Sequence, residues 1–300
     1  MVAHALSTES MITLSKLPKL VVRFYGNLDF ALDAISSRQI ALIHVSKIND
    51  PFDPYFYFET DFNEDYDRLM AYVRDRHVAD LDLFKRLRPE ENWSQNMAAI
   101  KAYFQELRDS TYLFSTVADE DGKHPVNNLY MWGHYANGHR GVAIEFDPVE
   151  IGKTVLTEYN QVQSEELQLH DIWAKVKYVS DVSPVTAETY FDFAKKFIDD
   201  AWGKSKLHEY YEAISNVKSE IWKNEREWRL HVQRHDTRAR VLKYSIGAAA
   251  IKGVYLGLKA PTSSTADFKF EMQSRCPTAK LFRANKAVGH IALEFYEVIE

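Results

Sequence analysis

The stretch LYMWGHYANGHRGVAIEFD, residues 129–147, constrains the fold more than any other part of the chain. It reads as a short aromatic helix, a tight turn at Asn137-Gly138, and a strand. Asn-Gly tolerates the positive φ that a reversal needs, and the segment after it is apolar and β-branched. The same stretch sets Trp132, His134, Tyr135, His139 and Arg140 within nine residues. A segment that only filled a core would not need so many polar-tipped side chains. Two other stretches are candidates to meet it, SKINDPFD at 46–53 and KNEREWRL at 223–230.

The rest of the chain sorts by apolar periodicity. LVVRFYG (20–26) predicts a strand, LDFALDAISSRQ a helix with Phe30, Leu32 and Ile35 on its pattern, and IALIHVSKI (40–48) a second strand stopped by Asn49-Asp50-Pro51. Residues 63–109 are predicted as a helical insertion, on the spacing of Tyr66, Leu69, Met70 and Val73 and then of Met97, Ile100, Phe104 and Leu107. TYLFSTV (111–117) is strand-like, 148–170 irregular or mixed, 175–179 a short strand, 186–222 helical with a break at Gly203, and 226–232 a strand. IKGVYLG, AKLFRAN and IALEFYEV complete the strands. The expected fold is α+β, with a twisted, mostly antiparallel sheet core, or two small sheets around a cleft, and the helical insertion. Residues 1–18 are a loose lead-in and 19–300 a single domain, because no Gly/Ser/Pro-rich linker or repeat divides them.

Composition limits the function classes. A formal net charge of -6 gives no global attraction to nucleic acid or to an anionic membrane. No apolar run approaches the roughly 20 residues of a membrane span, and the first residues lack the basic and apolar regions of a secretory signal. The single cysteine, Cys276, precludes an internal disulfide or a cysteine zinc cluster and fits a cytoplasmic setting. We read it as structural.

The candidate chemistry lies in the three polar stretches. Asn49, Asp50 and Asp53 follow a strand end, where an Asx-capped turn and a site both fit. His134 and His139 are five apart, which matches no helical zinc pair, and no carboxylate cluster has metal spacing, so no metal is expected. Trp132 and Tyr135 also fit a core role. Glu225 and Glu227 are two apart and point the same way on a strand or loop; a solvated charge run, with Lys223, Arg226 and Arg229 alternating with them, is the alternative. No nucleophile elbow or phosphate-binding glycine loop is present.

RFYG, NDPFD, LFS at 113–115, MWGHYANGHRGVAIEFD and EREWRL, in this order, resemble the bacterial family called domain of unknown function 2971, from about Arg23 to Gly257. That resemblance implies kinship in fold and a site location, and no activity. The opening strand–helix–strand is also similar to ADP-ribosyltransferase-like folds, which hold NAD in a cleft between two small sheets. A common version uses an Arg on the first strand, Ser-Thr-Ser on a later one and Glu-x-Glu before a late one. Arg23, Ser115-Thr116 and Glu225-x-Glu227 stand in that order; Phe114 precedes Ser115, and the full Ser-Thr-Ser is absent. The similarity implies that Arg23 binds NAD phosphates, Ser115 braces the site, Glu227 holds the nicotinamide ribose and Glu225 activates the acceptor. Tyr25, Trp132, His139 and Arg140 would join the cofactor-binding set, His134 and Tyr135 the catalytic set, and Asn49, Asp50, Asp53 and Arg229 the lining. The expectation is an NAD-using, ADP-ribosyltransferase-like enzyme acting in the cytoplasm on a macromolecular acceptor, as a toxin or phage-defence effector. A metal-dependent nuclease or hydrolase using Asp50, His134, His139 and Glu227 is a second expectation, and a non-catalytic module with a buried polar network a third.

Overall fold

Strand β1 (Val21–Tyr25) sits inside the main sheet and turns directly into helix α1 (Leu28–Ser36). Asn27 starts that helix: its side-chain oxygen accepts from the backbone N–H groups of Asp29 and Phe30 at 2.7 and 3.4 Å. Strand β2 (Gln39–His44) ends earlier than its apolar pattern predicts, in a 3₁₀ turn at Val45–Lys47. The His44 ring accepts from Ser46 N at 3.2 Å and so caps the turn. The computed structural model describes residues 17–48, 50, 53, 62–76, 82, 95, 98, 101–102, 105–119, 122–162, 167–181, 216–235 and 237–299.

Ten strands form one branched sheet. Strands β12 (Leu293–Glu297), β11 (Lys280–Lys286), β10 (Ile251–Leu256), β4 (Val142–Phe146), β1, β3 (Thr111–Ala118), β2 and β9 (Val241–Ser245) follow in that order, and β8 (Glu227–Gln233) joins β3 to β5 (Trp173–Lys175). Every pairing in it is antiparallel except β10 with β11. That parallel step requires a crossover, which the helix Ser264–Arg275 supplies. The fold is therefore α+β with a mostly antiparallel sheet. Hydrogen bonding joins the strands continuously, so the two branches diverge from β3 instead of standing as separate sheets. A parallel ribbon of β6 (Lys177–Val179) and β7 (Val217–Ser219) lies apart from it.

Alternation along the strands gives the sheet two cores. Val21, Phe114, Ile144, Phe146, Leu230 and Val254 face α1, the crossover helix and the helix Pro148–Val162. Val22, Phe24, Val117, Ala143 and Tyr255 face the short helix α3 (Leu129–His134) and its buried Trp132. α2 (Phe62–Arg76) is the described part of the expected helical insertion, and residues 105–109 are also helical; the other positions of 63–109 lie mostly outside the described residues, as do 182–215 of the second long helical expectation.

Three local expectations change. Residues 148–162 are a helix (α4), with Pro148 at its start, where a missing N–H costs nothing. Residues 217–225 are strand β7 followed by a 3₁₀ segment (Glu220–Glu225), not the end of a helix. Residues 175–179 split between β5, which pairs with β8, and β6, which pairs with β7.

The organising turn is locked by close packing. Asn137, Gly138 and His139 all have positive φ (50, 59 and 69°). Two residues on, Gly141 lies so close to the Tyr25 carbonyl and to Ala136 that a methyl group there would collide with main chain. Gly133, by contrast, is on the exposed face of α3 with open space around it. Gly141→Ala is expected to destabilise the protein by about 2 kcal/mol or more through overpacking. Gly133→Ala should stabilise it by roughly 0.5–1 kcal/mol through helix propensity. Paired denaturant melts measure both; equal effects of the two substitutions would remove the packing argument.

Candidate functional site

The site forms where β3 lacks a continuous neighbour. On one edge β3 pairs with β8 from Thr111 to Val117. On the other edge β1 pairs only with Val117 and Ala118, and β2 only with Tyr112 and Leu113. Between them the Ser115 carbonyl faces no strand among the described residues, and the Arg23 guanidinium donates to it, Nη1 to O, at 3.2 Å. The same guanidinium lies over the Phe114 ring, 4.7 Å from its centroid.

Register then gathers the polar groups. Ser115 is opposite Arg229 and Val117 opposite Glu227, so Glu227 and Arg229 share a face with Ser115 while Leu230 and Val232 fill the opposite core. The 3₁₀ segment before β8 ends at Arg226 in the left-handed conformation (φ 51°), which turns Glu225 to the same side as Glu227. Arg23, Ser115, Glu225 and Glu227 therefore line a single cavity of about 140 Å³, together with Asp53, Tyr135 and Lys218.

Five buried charges meet at its wall. Arg229, fully buried, donates from Nε and Nη2 to Glu227 at 2.8 and 3.0 Å. On its other side it donates from Nη1 and Nη2 to Asp53 at 2.7 and 2.5 Å. Bidentate pairing on both edges matches the planar fork of the guanidinium. Lys218 Nζ donates to Glu225 at 2.6 Å and to Glu227 at 3.2 Å, and lies 3.5 Å from Asp53. The Tyr135 hydroxyl donates to the second oxygen of Glu225 at 2.5 Å. Glu227 N donates to the Tyr178 hydroxyl at 2.8 Å, which ties the β6–β7 ribbon to the start of β8.

Three carboxylates against two cations leave this group one negative charge in excess, and the two glutamates respond oppositely. Burial pushes Glu227 up, but Arg229 and Lys218 more than reverse this and hold it at about 2. Glu225 is raised: burial lifts it, Lys218 opposes, and the Glu227 charge adds to the rise. Burial and the Glu225 bond likewise push the Tyr135 phenol up, so it stays a donor. Glu227 is thus fixed as an anion, while Glu225 can take or give a proton.

The other expected site residues fall elsewhere. Trp132 is fully buried core: its indole donates to Val126 O at 2.6 Å and its ring meets Phe24 edge-on at 5.2 Å. His134 is exposed and packs on Tyr130, and Arg140 is exposed at the turn. His139 stacks on Trp132 behind the cavity. Tyr25 lies beside Arg23, with the guanidinium 5.7 Å from its ring centroid, but does not line the cavity. Asp50 holds the turn by accepting from Asp53 N at 3.1 Å, and Asn49 lies outside the described residues. The two histidines of the expected metal hydrolase thus stand away from Glu227, and Lys218 Nζ occupies the point between the carboxylates. Sequence reasoning missed Lys218 and Tyr178, which sit opposite each other in the β6–β7 register.

Glu227 sets an acid limit on stability. Its folded value lies below its unfolded value near 4.5, so its contribution is complete above that pH and is lost as pH falls toward 2. The shift corresponds to about 3 kcal/mol. Glu227→Gln should lower stability at pH 7 and flatten its fall below pH 4.5. Arg229→Ala should cost about 3–5 kcal/mol by stranding two buried carboxylates. Glu225→Gln removes a charge whose ionisation burial already opposes, so stability at pH 7 should be kept or raised. Urea melts at pH 7 and pH 3 separate these three outcomes.

No curated protein and no solved structure matches the chain. Residues 131–230 match the family described as Protein of unknown function (DUF2971). The match runs from α3 to β8 and so includes Tyr135, Lys218, Glu225 and Glu227 of the cavity lining and Arg229, which holds Glu227, whereas Arg23, Asp53, Ser115 and Thr116 lie before it. Over this third of its length the chain carries the sequence pattern of the DUF2971 family, the family its motifs resemble.

Proposed function

We propose that the protein is an NAD-using, ADP-ribosyltransferase-like enzyme. The observation that carries this reading is the convergence of Arg23, Ser115, Glu225 and Glu227 on one cavity at the fork of the sheet. In the proposed reaction the acceptor attacks the anomeric carbon of the nicotinamide ribose. The C–N bond breaks, nicotinamide leaves with the bonding electrons, and the acceptor's proton passes to a base. Arg23 spends one donor on Ser115 O and keeps the rest of its fork for the diphosphate of NAD. Glu227, held as an anion by Arg229 and Lys218, supplies a fixed negative charge facing an oxocarbenium-like centre. Glu225, whose proton affinity burial raises, accepts the proton. Ser115, on the same face and in the same cavity as Glu227, braces it. We infer a macromolecular acceptor and a cytoplasm-acting toxin or phage-defence effector as the setting for such an enzyme.

The buried ion network favours one other reading, a non-catalytic module whose charges fix the fold. Calorimetric titration with NAD and an assay for nicotinamide release, on wild type and on folded Arg23→Ala and Glu225→Gln, separate the two. The enzyme reading expects NAD binding that weakens at least tenfold, about 1.4 kcal/mol, in Arg23→Ala. It also expects nicotinamide release that falls by a factor of about 100 or more in Glu225→Gln. A wild-type protein that neither binds NAD nor releases nicotinamide with any acceptor would leave the structural reading.

A further inference from the structure

A second cavity, of about 250 Å³, adjoins the first across β3 and shares Val117 with it. The two are divided by the segment Asn224-Glu225-Arg226-Glu227, whose residues alternate: Glu225 and Glu227 line the first cavity, Asn224 and Arg226 the second. The balance of charge differs across this wall. The first cavity holds three carboxylates beside Arg23 and Lys218. The second is lined by Lys123, His124, Arg226 and three asparagines, Asn127, Asn128 and Asn224, with no carboxylate among its described lining residues. In a protein of net charge -6, such a concentration of donors and cations is a local exception.

We propose that this second cavity binds a phosphoryl group of the same small molecule whose other end enters the first. Three observations support it. The first cavity, at about 140 Å³, is smaller than the roughly 300–1,000 Å³ typical of ligand pockets, so a nucleotide must continue beyond it. The adjoining cavity is the larger of the two and lies directly beyond Glu225 and Glu227. Lys123 and Arg226 offer a point charge and a planar fork, the two side-chain geometries that suit phosphate oxygens. His124 is held in place from behind, its Nε2 3.2 Å from Glu145 Oε2 and its Nδ1 accepting from Val126 N at 3.3 Å. That carboxylate oxygen also accepts from the Tyr255 hydroxyl at 2.6 Å. The anion site does not depend on the identity of the nucleotide, although under the enzyme reading it takes a phosphate of NAD.

Inorganic pyrophosphate tests the site apart from the reaction. Titration of wild type at low salt should show binding that weakens as salt rises. Binding should weaken at least tenfold in Lys123→Gln/Arg226→Gln, and by a smaller factor in Arg23→Gln, which removes only the first cavity's anion contact. The single variant Lys123→Gln, at an exposed residue, should lose several-fold without affecting folding. No binding to wild type, unchanged binding in the double variant, or loss confined to Arg23→Gln would each overturn the proposal. Titration of the same variants with NAD distinguishes the two failures: pyrophosphate binding that maps to Lys123 and Arg226 without NAD binding keeps the anion site and removes the enzyme reading.

Discussion

The structure around the cavity depends on burying one arginine. Arg229 lies on the inner face of β8, fully enclosed, with Asp53 on one edge of its guanidinium and Glu227 on the other. Burying a guanidinium without partners would cost several kcal/mol, and so would burying either carboxylate alone. Each therefore requires the others. This ties the loop after β2 to the middle of β8, residues far apart in sequence, and gives Lys218 a place it could not otherwise occupy. With five charges confined, the environments of the two glutamates separate: the one between both cations is locked, and the one nearer the Tyr135 hydroxyl is not.

Much of the frame is legible in the sequence because its signals are local. The strand–helix–strand start, TYLFSTV, GVAIEFD and the three late strands carry apolar runs or alternation that needs no knowledge of partners. The elements that escape are those whose pattern misleads. In α4, Ile151, Val155 and Tyr159 are buried at four-residue spacing, but Pro148 and Gly152 make the segment read as irregular. The crossover helix buries Phe268 and Met272 while Phe270 is exposed, which blurs its stripe. Strand β9 is an edge with mostly exposed side chains and so lacks a strong apolar signal.

The site was legible in part for the same reason. Glu225, Glu227 and Arg229 advertise themselves as charges flanked by tryptophans, and Asp53 as a polar residue after a strand end. Lys218 does not: Val217 and Ile221 flank it at helical spacing, yet Ile221 is exposed and Lys218 buried, because the backbone there is a strand running into a 3₁₀ turn. The aromatic turn stretch misleads in the opposite direction. Its wealth of polar tips suggests several ligand contacts, but the Trp132 indole is spent on Val126 O, the Trp132 and His139 rings stack on each other, and the left-handed turn meets the ends of β1 and β10 through its main chain. That packing sets where Tyr135 stands, and only Tyr135 and Met131 of that stretch reach the cavity.

The hydrogen bond from Arg23 to the Ser115 carbonyl has a different kind of importance. At the fork of the sheet, a side chain meets a carbonyl that no described strand pairs, so the main chain there is held by a group that can also be drawn elsewhere. Any anion that engages the guanidinium competes with the backbone for it. Occupancy of the cavity and cohesion of the two branches are then linked quantities: what one gains in contact the other yields, and by reciprocity anything that spreads or clamps the branches changes how tightly the anion is held.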